Sequence, residues 1–321
     1  VTSVCTEMSD VGDLMSGTVV ITGAFSYTGK YTTRILLERG YRIRTLTNHP
    51  QRNNPFGERV QVFPYDFPHP DRLRENLRGA STLINTYWVR FPHAGATFES
   101  AVANTCVLIK AAKDAGIKRI VHVSIANPSL QSPLAYYRGK AQLEKAVMES
   151  GLSYCILRPT VIFGTEDVLI NNIAWFVRTF PVFAVPGDGS YGIRPIYVED
   201  MASLLADAAE RETSSVVEAV GPETFSFEAL VKLIGEKVGR RVWIAHAPAF
   251  AAYLCTLLVG WMVGDVVLTW EEYEGLIANL LAVEGPAAGK TRLSGWLAEN
   301  GDRVGRRYAS EVARHFDRSN N

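Results

Sequence analysis

Short apolar runs alternate with helical periods along the first half of the chain. The run Thr18–Thr22 is typical of a strand that is buried on both faces of a parallel sheet. Five further runs predict strands at Arg42–Leu46, Val60–Phe63, Ser81–Asn85, Arg119–Ser124 and Ser153–Arg158. Amphipathic periods that each end at a glycine predict helices at Tyr27–Arg39, Ala96–Ala115 and Leu134–Ser150. Strands that alternate with helices form βαβ units, so we predict an α/β fold with a doubly wound parallel Rossmann sheet.

The pattern changes after about residue 165. It predicts a helix at Val168–Thr179, a strand near Ile193–Val198 and a helix from Glu199, and the chain beyond about Gly221 is interpreted as mainly helical. We therefore divide the chain into an N-terminal extension (1–16), a Rossmann domain (17–165) and a smaller C-terminal lobe (166–321). Residues 193–210 of the lobe are expected to return to the Rossmann domain.

Composition excludes several classes of protein. Apolar residues make up 47% of the 321 residues, which indicates a folded protein with a sizeable core. The 33 basic residues equal the 33 acidic ones, so nothing indicates a nucleic-acid binder, which needs a basic surplus. The four cysteines are far apart and the histidines lack metal-ligand spacing, which predicts no metal site and a reducing, cytoplasmic location. Residues 1–16 contain no Lys or Arg, so they are not interpreted as a signal peptide.

A glycine loop follows the first strand at the start of the first helix. Glycine at Gly23 allows a tight turn, Gly29 allows the helix to pack closely on the strand, and the helix N-terminus attracts an anionic pyrophosphate. Serine stands at position 26, where glycine is usual, and its hydroxyl can donate to phosphate. The candidate cofactor residues here are Thr22, Gly23, Phe25, Ser26, Tyr27, Thr28 and Gly29. The alternative is an ordinary glycine turn.

The end of the second strand bears on the choice between NAD and NADP. An acidic residue there binds the ribose 2′-hydroxyl of NAD, and the segment 45–52 contains none. Thr47, Asn48 and Arg52 can hold a 2′-phosphate instead, which favours NADP(H), although Arg52 is also compatible with a solvated loop. Asp66 can accept a hydrogen bond from the adenine. The other candidate cofactor residues at these strand ends are Phe67, Asn85, Thr86 and Tyr87.

A tyrosine and a lysine lie four residues apart on the helix that follows the fifth strand. Tyr136 and Lys140 therefore project from one face of that helix. A nearby ammonium lowers the pKa of a tyrosine and brings it into the range of acid–base chemistry. Ser124 ends the fifth strand, where its hydroxyl can fix a substrate carbonyl. A Tyr-x-x-x-Lys spacing also arises by chance, so the alternative is a helix edge with no catalytic role.

These residues together resemble the short-chain dehydrogenase/reductase family. The matching segments, in the family's order and spacing, are TGAFSYTG (22–29), Asp66, VHVSIAN (121–127), YYRGK (136–140), LRPTVIFGTED (157–167) and PIYVED (195–200). The segment from Phe163 to Gly189 is most similar to the atypical branch that includes the nucleotide-binding accessory subunit of respiratory complex I and NmrA-like proteins. The resemblance extends over about residues 17–210.

The resemblance implies an NAD(P)H-binding Rossmann domain with Ser124, Tyr136 and Lys140 in the positions of the family's catalytic triad. It also implies that Pro159, Thr160 and Val161 lie beside the nicotinamide. The leading hypothesis is an NADP(H)-dependent oxidoreductase that transfers hydride to or from a carbonyl or activated alkene of a small, lipophilic substrate. One alternative is a non-catalytic nucleotide-binding module for assembly or redox sensing, because some atypical members are not known as catalysts. Another is a sugar-nucleotide epimerase or dehydratase, which the displaced Arg194 weakens.

The segment Ala247–Gly264 contains no charged residue. It predicts a helix that is apolar on all sides, and such a helix is buried or lies in lipid. We expect it to pack in the core or at a homodimer interface. The alternatives are an apolar lid over the substrate site, a peripheral contact with a membrane or protein, and, least favoured, a membrane span. The downstream T-x-x-E sequence at Thr269 predicts a capping box for another helix.

Overall fold

The structure is a computed structural model that describes residues 17–93 and 95–312. The predicted extension at 1–16 lies outside the described residues. Ordered along the chain, the strands are β1 (Thr18–Thr22), β2 (Arg42–Thr47), β3 (Val60–Pro64), β4 (Thr82–Asn85), β5 (Arg119–Val123), β6 (Ser153–Pro159), β7 (Ile162–Phe163), β8 (Val182–Pro186), β9 (Gly192–Ile193), β10 (Ile196–Tyr197), β11 (Ser215–Ala219), β12 (Phe225–Ser226) and β13 (Trp243–Ala247). The helices are α1 (Tyr27–Glu38), α2 (Pro70–Leu77), α3 (Phe98–Asp114), α4 (Ala135–Glu149), α5 (Leu169–Thr179), α6 (Val198–Glu210), α7 (Phe227–Lys237), α8 (Ala249–Val263), α9 (Trp270–Ile277) and α10 (Leu293–Asn300).

Seven parallel strands form the central sheet in the order β3-β2-β1-β4-β5-β6-β11. This order confirms the predicted doubly wound Rossmann sheet. The strand order reverses between β1 and β4, so the carboxyl ends of these two strands border the crevice where such folds bind ligands. The glycine loop follows β1, which places it at this crevice.

Helices cover both faces of the sheet, and this explains the apolar runs in the middle of strands such as β1, β4 and β6. One face packs on α1 and α6, and its buried core includes Leu36, Met201 and Leu205. The other face packs on α2, α3 and α4 through Leu73, Leu108 and Val147 among others. Because α6 packs against α1, the chain returns to the Rossmann domain after the first part of the C-terminal lobe.

The C-terminal lobe contains more β-structure than its sequence pattern predicts. Its own core joins α5, α7 and α10 around Phe227, Ile234 and Trp296. Two parallel strands, β8 and β13, form a ribbon on this core, and β11 is the seventh strand of the main sheet. The predicted strand at Ile193–Val198 is instead two short strands, β9 and β10, separated by Arg194 and Pro195. The capping box at Thr269 and Glu272 is present at the start of α9.

The expectation that the uncharged segment packs in the core is wrong. Helix α8 lies on the surface, and Trp261, Leu258 and Phe250 are 85%, 65% and 67% exposed. A pattern without charges shows that a helix tolerates an apolar environment, but it cannot show which neighbours supply that environment. Among the residues that the structure describes, no helix is both long enough and apolar enough to cross a bilayer.

Candidate functional site

The glycine loop has the backbone shape that a phosphate-binding turn requires. Gly23 has φ +69°, a left-handed conformation that favours glycine. A Cβ at Gly29 would lie 2.0 Å from the Gly23 carbonyl oxygen, so only glycine allows the first turn of α1 to approach the loop this closely. Ser26, where glycine is usual, has extended backbone and caps α1 by accepting from the Gly29 N–H. The first turn contains no acidic side chain that would repel a phosphate.

A buried polar network connects β1, β4 and β5 behind this loop. The Thr22 hydroxyl donates to Oδ1 of Asn85 at 3.2 Å and accepts from the backbone N–H groups of Thr86 and Tyr87. Nδ2 of Asn85 faces Nδ1 of His122 at 3.0 Å. Because Oδ1 of Asn85 is already an acceptor, its amide must donate to a neutral His122. The predicted cofactor residues Thr22, Asn85, Thr86 and Tyr87 are thus brought together as one rigid unit.

The loops beyond β2 and β3 form the side of the crevice where the adenine is predicted to bind. Phe25 of the glycine loop stacks with Phe56 at a ring separation of 6.3 Å. Thr47 at the end of β2 and Asn48 and Arg52 in the following loop are at least partly exposed, and the Thr47 hydroxyl accepts from the backbone N–H of His49. Asp66 pairs with His69 and Arg72, which together hold its pKa below the usual value.

An aromatic cluster joins this adenine side to the end of β4. Phe67 packs against Tyr65 and Tyr87, with ring separations of 5.0 and 5.3 Å. The hydroxyl of Tyr87 in turn accepts from the side-chain amide of Asn104 on α3. The predicted residues Phe67 and Tyr87 therefore line one continuous wall.

The predicted triad residues lie at the carboxyl edge of β5 and on the first turns of α4. Ser124 is 4% exposed, and its hydroxyl has no hydrogen-bond partner among the described residues. Lys140 is 3% exposed and donates to the Val123 carbonyl at 3.0 Å. Beside them, the Thr160 hydroxyl donates to the backbone of Arg194, and Pro159 and Val161 accept backbone hydrogen bonds from Ala126 and Ile196.

The indole of Trp88 covers the face of α4 from Tyr136 to Lys140. The Lys140 ammonium lies 4.6 Å from its ring centroid, and the Tyr136 ring meets it edge-on at 5.5 Å. Gly139 leaves the space that the indole occupies, since a Cβ there would lie 2.9 Å from it. Like the Ser124 hydroxyl, the indole Nε1 is buried without a hydrogen-bond partner within the described chain. Each of these two groups is a donor that a ligand oxygen would satisfy.

Burial dominates the titration of these groups. It lowers the pKa of Lys140 from 10.5 to about 7, because a buried ammonium loses its hydration. It raises the pKa of Tyr136, and the neighbouring Tyr137 and Glu272 raise it further while Arg90 opposes them. In this arrangement the ammonium of Lys140 is directed to Trp88 and Val123.

Helix α9 contributes residues that the sequence pattern did not identify. Glu271 accepts from the backbone N–H groups of Ala135 and Tyr136 at 3.3 and 2.9 Å, so it caps α4 from a distant part of the chain. Glu272 pairs with the partly buried Arg90, which also pairs with Glu311. Only the capping box gave a local signal for α9, and nothing local indicates that its acidic residues reach the triad.

Arg194 lies between β9 and β10, and its backbone carbonyl accepts from the Thr160 hydroxyl. Its guanidinium is buried and donates to the carbonyls of Gly221, Val283 and Gly285. A cleft of about 430 Å³ opens nearby, lined by Gly187, Asp188, Tyr191, Tyr273, Ile277 and Asn279 among others. Helix α9 connects this cleft to the start of α4. Its residues Tyr273 and Ile277 line the cleft, and Gly275 between them lies against the ring of Tyr137.

Comparison with known proteins matches this geometry. Residues 23–171 match the family model described as NAD(P)H-binding. The chain is 28% identical over 242 residues to the mitochondrial NADH dehydrogenase [ubiquinone] 1 alpha subcomplex subunit 9 of Arabidopsis thaliana, covering 71% of this chain and 60% of that protein. It is 26% identical over 263 residues to the 4-hydroxy-2-methyl-3-oxo-4-farnesyl-3,4-dihydroquinoline-1-oxide ketoreductase of Stigmatella aurantiaca, covering 72% and 76%.

A solved structure extends the similarity to the C-terminal lobe. The Citrobacter sp. triphenylmethane reductase complexed with NADP(H) superposes with a TM-score of 0.64 at 17% identity, covering 88% of this chain and 99% of that one. This likeness shows the same fold. Together the matches confirm the predicted Rossmann fold, the predicted NAD(P) binding and the resemblance to the atypical short-chain dehydrogenase/reductases.

Proposed function

We propose, from the premise that residues 23–171 form an NAD(P)H-binding domain, that the chain is an NADP(H)-dependent reductase of a small, lipophilic carbonyl compound or activated alkene. The observation that carries the proposal is the buried Ser124 hydroxyl without a partner. An unsatisfied buried hydroxyl costs about 1–3 kcal/mol, so its retention beside Lys140 fits a group that awaits a ligand oxygen.

Three side chains would share the chemistry. The reduced nicotinamide, when bound, supplies a hydride. Ser124 donates a hydrogen bond to the substrate oxygen and orients it, and Tyr136 transfers the proton. Lys140 holds the ribose hydroxyls and lowers the pKa of Tyr136 once the Trp88 indole no longer covers the face of α4 that they share.

NADP(H) is the cofactor that the loop after β2 favours. The segment 45–52 carries no carboxylate that would repel a 2′-phosphate, and Thr47, Asn48 and Arg52 follow the strand end. A hydroxyl, an amide and a guanidinium are suitable donors to that phosphate. The capped helix α1 and Gly29 would hold the pyrophosphate.

Sugar-nucleotide chemistry is disfavoured by Arg194. A sugar diphosphate needs a cation in the substrate cleft, and Arg194 is committed to three backbone carbonyls. Moving it would leave those carbonyls without their charged donor, at a cost of roughly 1–3 kcal/mol for each hydrogen bond lost.

A second candidate function is a non-catalytic nucleotide-binding module. The position of Trp88 favours it, because the indole contacts both Lys140 and Tyr136 and burial raises the pKa of Tyr136. A module of this kind would bind NADPH and not consume it.

Substitution of Tyr136 separates the two candidates. Purified Tyr136→Phe and wild-type protein are compared for NADPH consumption with quinones, enones and aromatic ketones, and for NADPH affinity by fluorescence titration. A reductase predicts that Tyr136→Phe lowers kcat by about 10²–10⁴-fold while the Kd for NADPH is nearly unchanged. Tyr137→Phe is the matched control, since it removes the neighbouring hydroxyl and should retain turnover. Tight NADPH binding by the wild type with no consumption on any acceptor class would favour the module.

A further inference from the structure

Helix α8 presents an outer apolar face to solvent. The outer face of α8 comprises Phe250, Leu254, Leu257, Leu258, Trp261 and Met262, which are between 42% and 85% exposed. Exposing one such side chain is ordinary, but six contiguous ones on one helix form a patch of the kind that marks an interaction site. The reductase proposed above has no use for this face.

The inner side of α8 anchors the helix firmly enough to present that face. Ala252 is 3% exposed, and the Tyr253 ring packs edge-on against Trp270 of α9 at 5.0 Å. Gly260 lies close to the backbone of Asp265, whose carboxylate accepts from Tyr308 and from the backbone of Glu311. Helix α8 also packs along the ribbon of β8 and β13.

Basic residues lie near the end of the ribbon where β8 and β13 begin. Arg240 and Arg241 are exposed immediately before Trp243, which is itself 75% exposed and pairs with Val182. Arg178 lies just before β8, and its pKa is lowered by burial and then by the charges of Arg306 and Arg240, while Asp302 acts against them. Basic side chains and an exposed tryptophan therefore lie at one end of the ribbon on which α8 packs.

We propose that the outer face of α8, with Trp243 and the adjacent arginines, docks on the surface of a bilayer that contains anionic lipids. Tryptophan favours the headgroup region, and arginines attract anionic headgroups. A helix of 15 residues is about 22 Å long, short of the roughly 30 Å hydrocarbon core, so the helix would lie in the interface rather than cross it.

The chemistry of the face favours lipid over a protein partner. A protein interface carries about one hydrogen bond per 100–200 Å². The six side chains of the outer face offer one polar hydrogen, the indole N–H of Trp261, and the nearby Thr256 hydroxyl already donates to the Tyr253 carbonyl. A bilayer interface needs no such pairing from the inserted side chains.

Vesicle sedimentation of the full chain tests the proposal. The protein is mixed with vesicles of phosphatidylcholine and phosphatidylglycerol, whose anionic headgroups attract basic segments, and with vesicles of phosphatidylcholine alone. We expect binding to the mixed vesicles that is weaker on pure phosphatidylcholine and falls as salt is raised.

Variants identify the parts of the surface. Leu258→Ser with Trp261→Ser should weaken binding to both vesicles by at least about tenfold, because two large apolar side chains no longer leave water. Arg240→Gln with Arg241→Gln should weaken binding to mixed vesicles by about fivefold for each arginine and leave binding to pure phosphatidylcholine unchanged. Met148→Ser, at a 40% exposed apolar residue of α4, is the matched control and should bind as the wild type does.

Each result decides the proposal. Thermal unfolding of every variant shows whether it is folded, and the arginine pair alters only exposed charges, so it remains informative if the α8 variant is unstable. Absence of wild-type binding to the mixed vesicles overturns the proposal. A second result also overturns it. If the wild type is a homodimer, the Leu258→Ser, Trp261→Ser variant is a monomer and both proteins bind vesicles equally, then the outer face of α8 is an interface between copies of the chain.

Discussion

Lowering the pH is expected to weaken the fold through one buried histidine, His122. Its side chain is fully buried at the end of β5, and its Nδ1 accepts from the Asn85 amide at 3.0 Å. Protonation would place a second donor against that amide, inside a network that also holds Thr22. Burial, together with the charge of Lys140, lowers the pKa of His122 from 6.5 to about 3.

The magnitude follows from the linkage between proton binding and unfolding. The folded-state pKa is depressed, so the contribution of His122 to stability is present above pH 6.5 and is lost as the pH falls toward 3. In that window the unfolded chain binds a proton that the folded chain refuses. Between about pH 8 and pH 5 the difference amounts to about 2 kcal/mol in the free energy of unfolding, for a histidine with these two pKa values.

Urea unfolding of the wild type and of His122→Gln, each at both pH values, measures this quantity. The substitution lowers the free energy of unfolding at both pH values. The informative quantity is therefore the loss of that free energy when the pH falls from 8 to 5. We expect that loss to be about 2 kcal/mol smaller in the variant, because the other titrating groups cancel in the comparison. His49→Gln, at an exposed loop histidine, controls for the removal of one histidine from the chain. Equal losses in wild type and His122→Gln would refute the reasoning.

Three further predictions concern the loop, the contact with α9 and the cofactor. Gly29→Ala should abolish NADPH binding in a fluorescence titration, because its Cβ would lie 2.0 Å from a backbone oxygen, whereas Gly295→Ala, whose nearest neighbour is 4.0 Å away, should leave binding intact. Arg90→Met should lower the free energy of unfolding by about 1–3 kcal/mol, since it leaves the partly buried carboxylate of Glu272 next to a second acid without its cation, and adding Glu272→Gln should restore part of that loss in the same urea titration. Arg52→Ala should raise the Kd for NADPH by about tenfold and leave that for NADH unchanged, and equal changes in both would contradict the predicted 2′-phosphate contact.

The first six strands were predictable because their cause is local. A strand covered by helices on both faces carries a run of apolar positions, as β1, β4 and β6 do at Val19–Ile21, Leu83–Ile84 and Cys155–Leu157, whereas β2 has only Ile43 and Leu46. Strand β11 was missed because its cause is not local: Ser215–Ala219 becomes a strand by pairing with β6. Its sequence contains an exposed valine and a glutamate, as is usual at a sheet edge.

The sequence pattern indicated candidate residues for the site, but it did not predict the contacts that these residues make with other segments. The spacing of Tyr136 and Lys140 follows from helix geometry, so their shared face could be predicted. That Trp88 would cover this face depends on Gly139, which leaves room for an indole that arrives from the loop after β4. The sequence pattern of one segment cannot predict this contact, because it involves two segments that are far apart in the chain.

The apolar helix and the triad are joined by two successive contacts. Tyr253 of α8 packs against Trp270, the first residue of α9, and Glu271, the next residue, accepts from the backbone of Ala135 and Tyr136. A shift of α8 relative to the ribbon would therefore move the carboxylate that caps α4, and with it the turn that carries the candidate proton donor. If α8 docks on lipid as proposed, the backbone of Tyr136 is linked to that surface through Trp270 and Glu271 of α9.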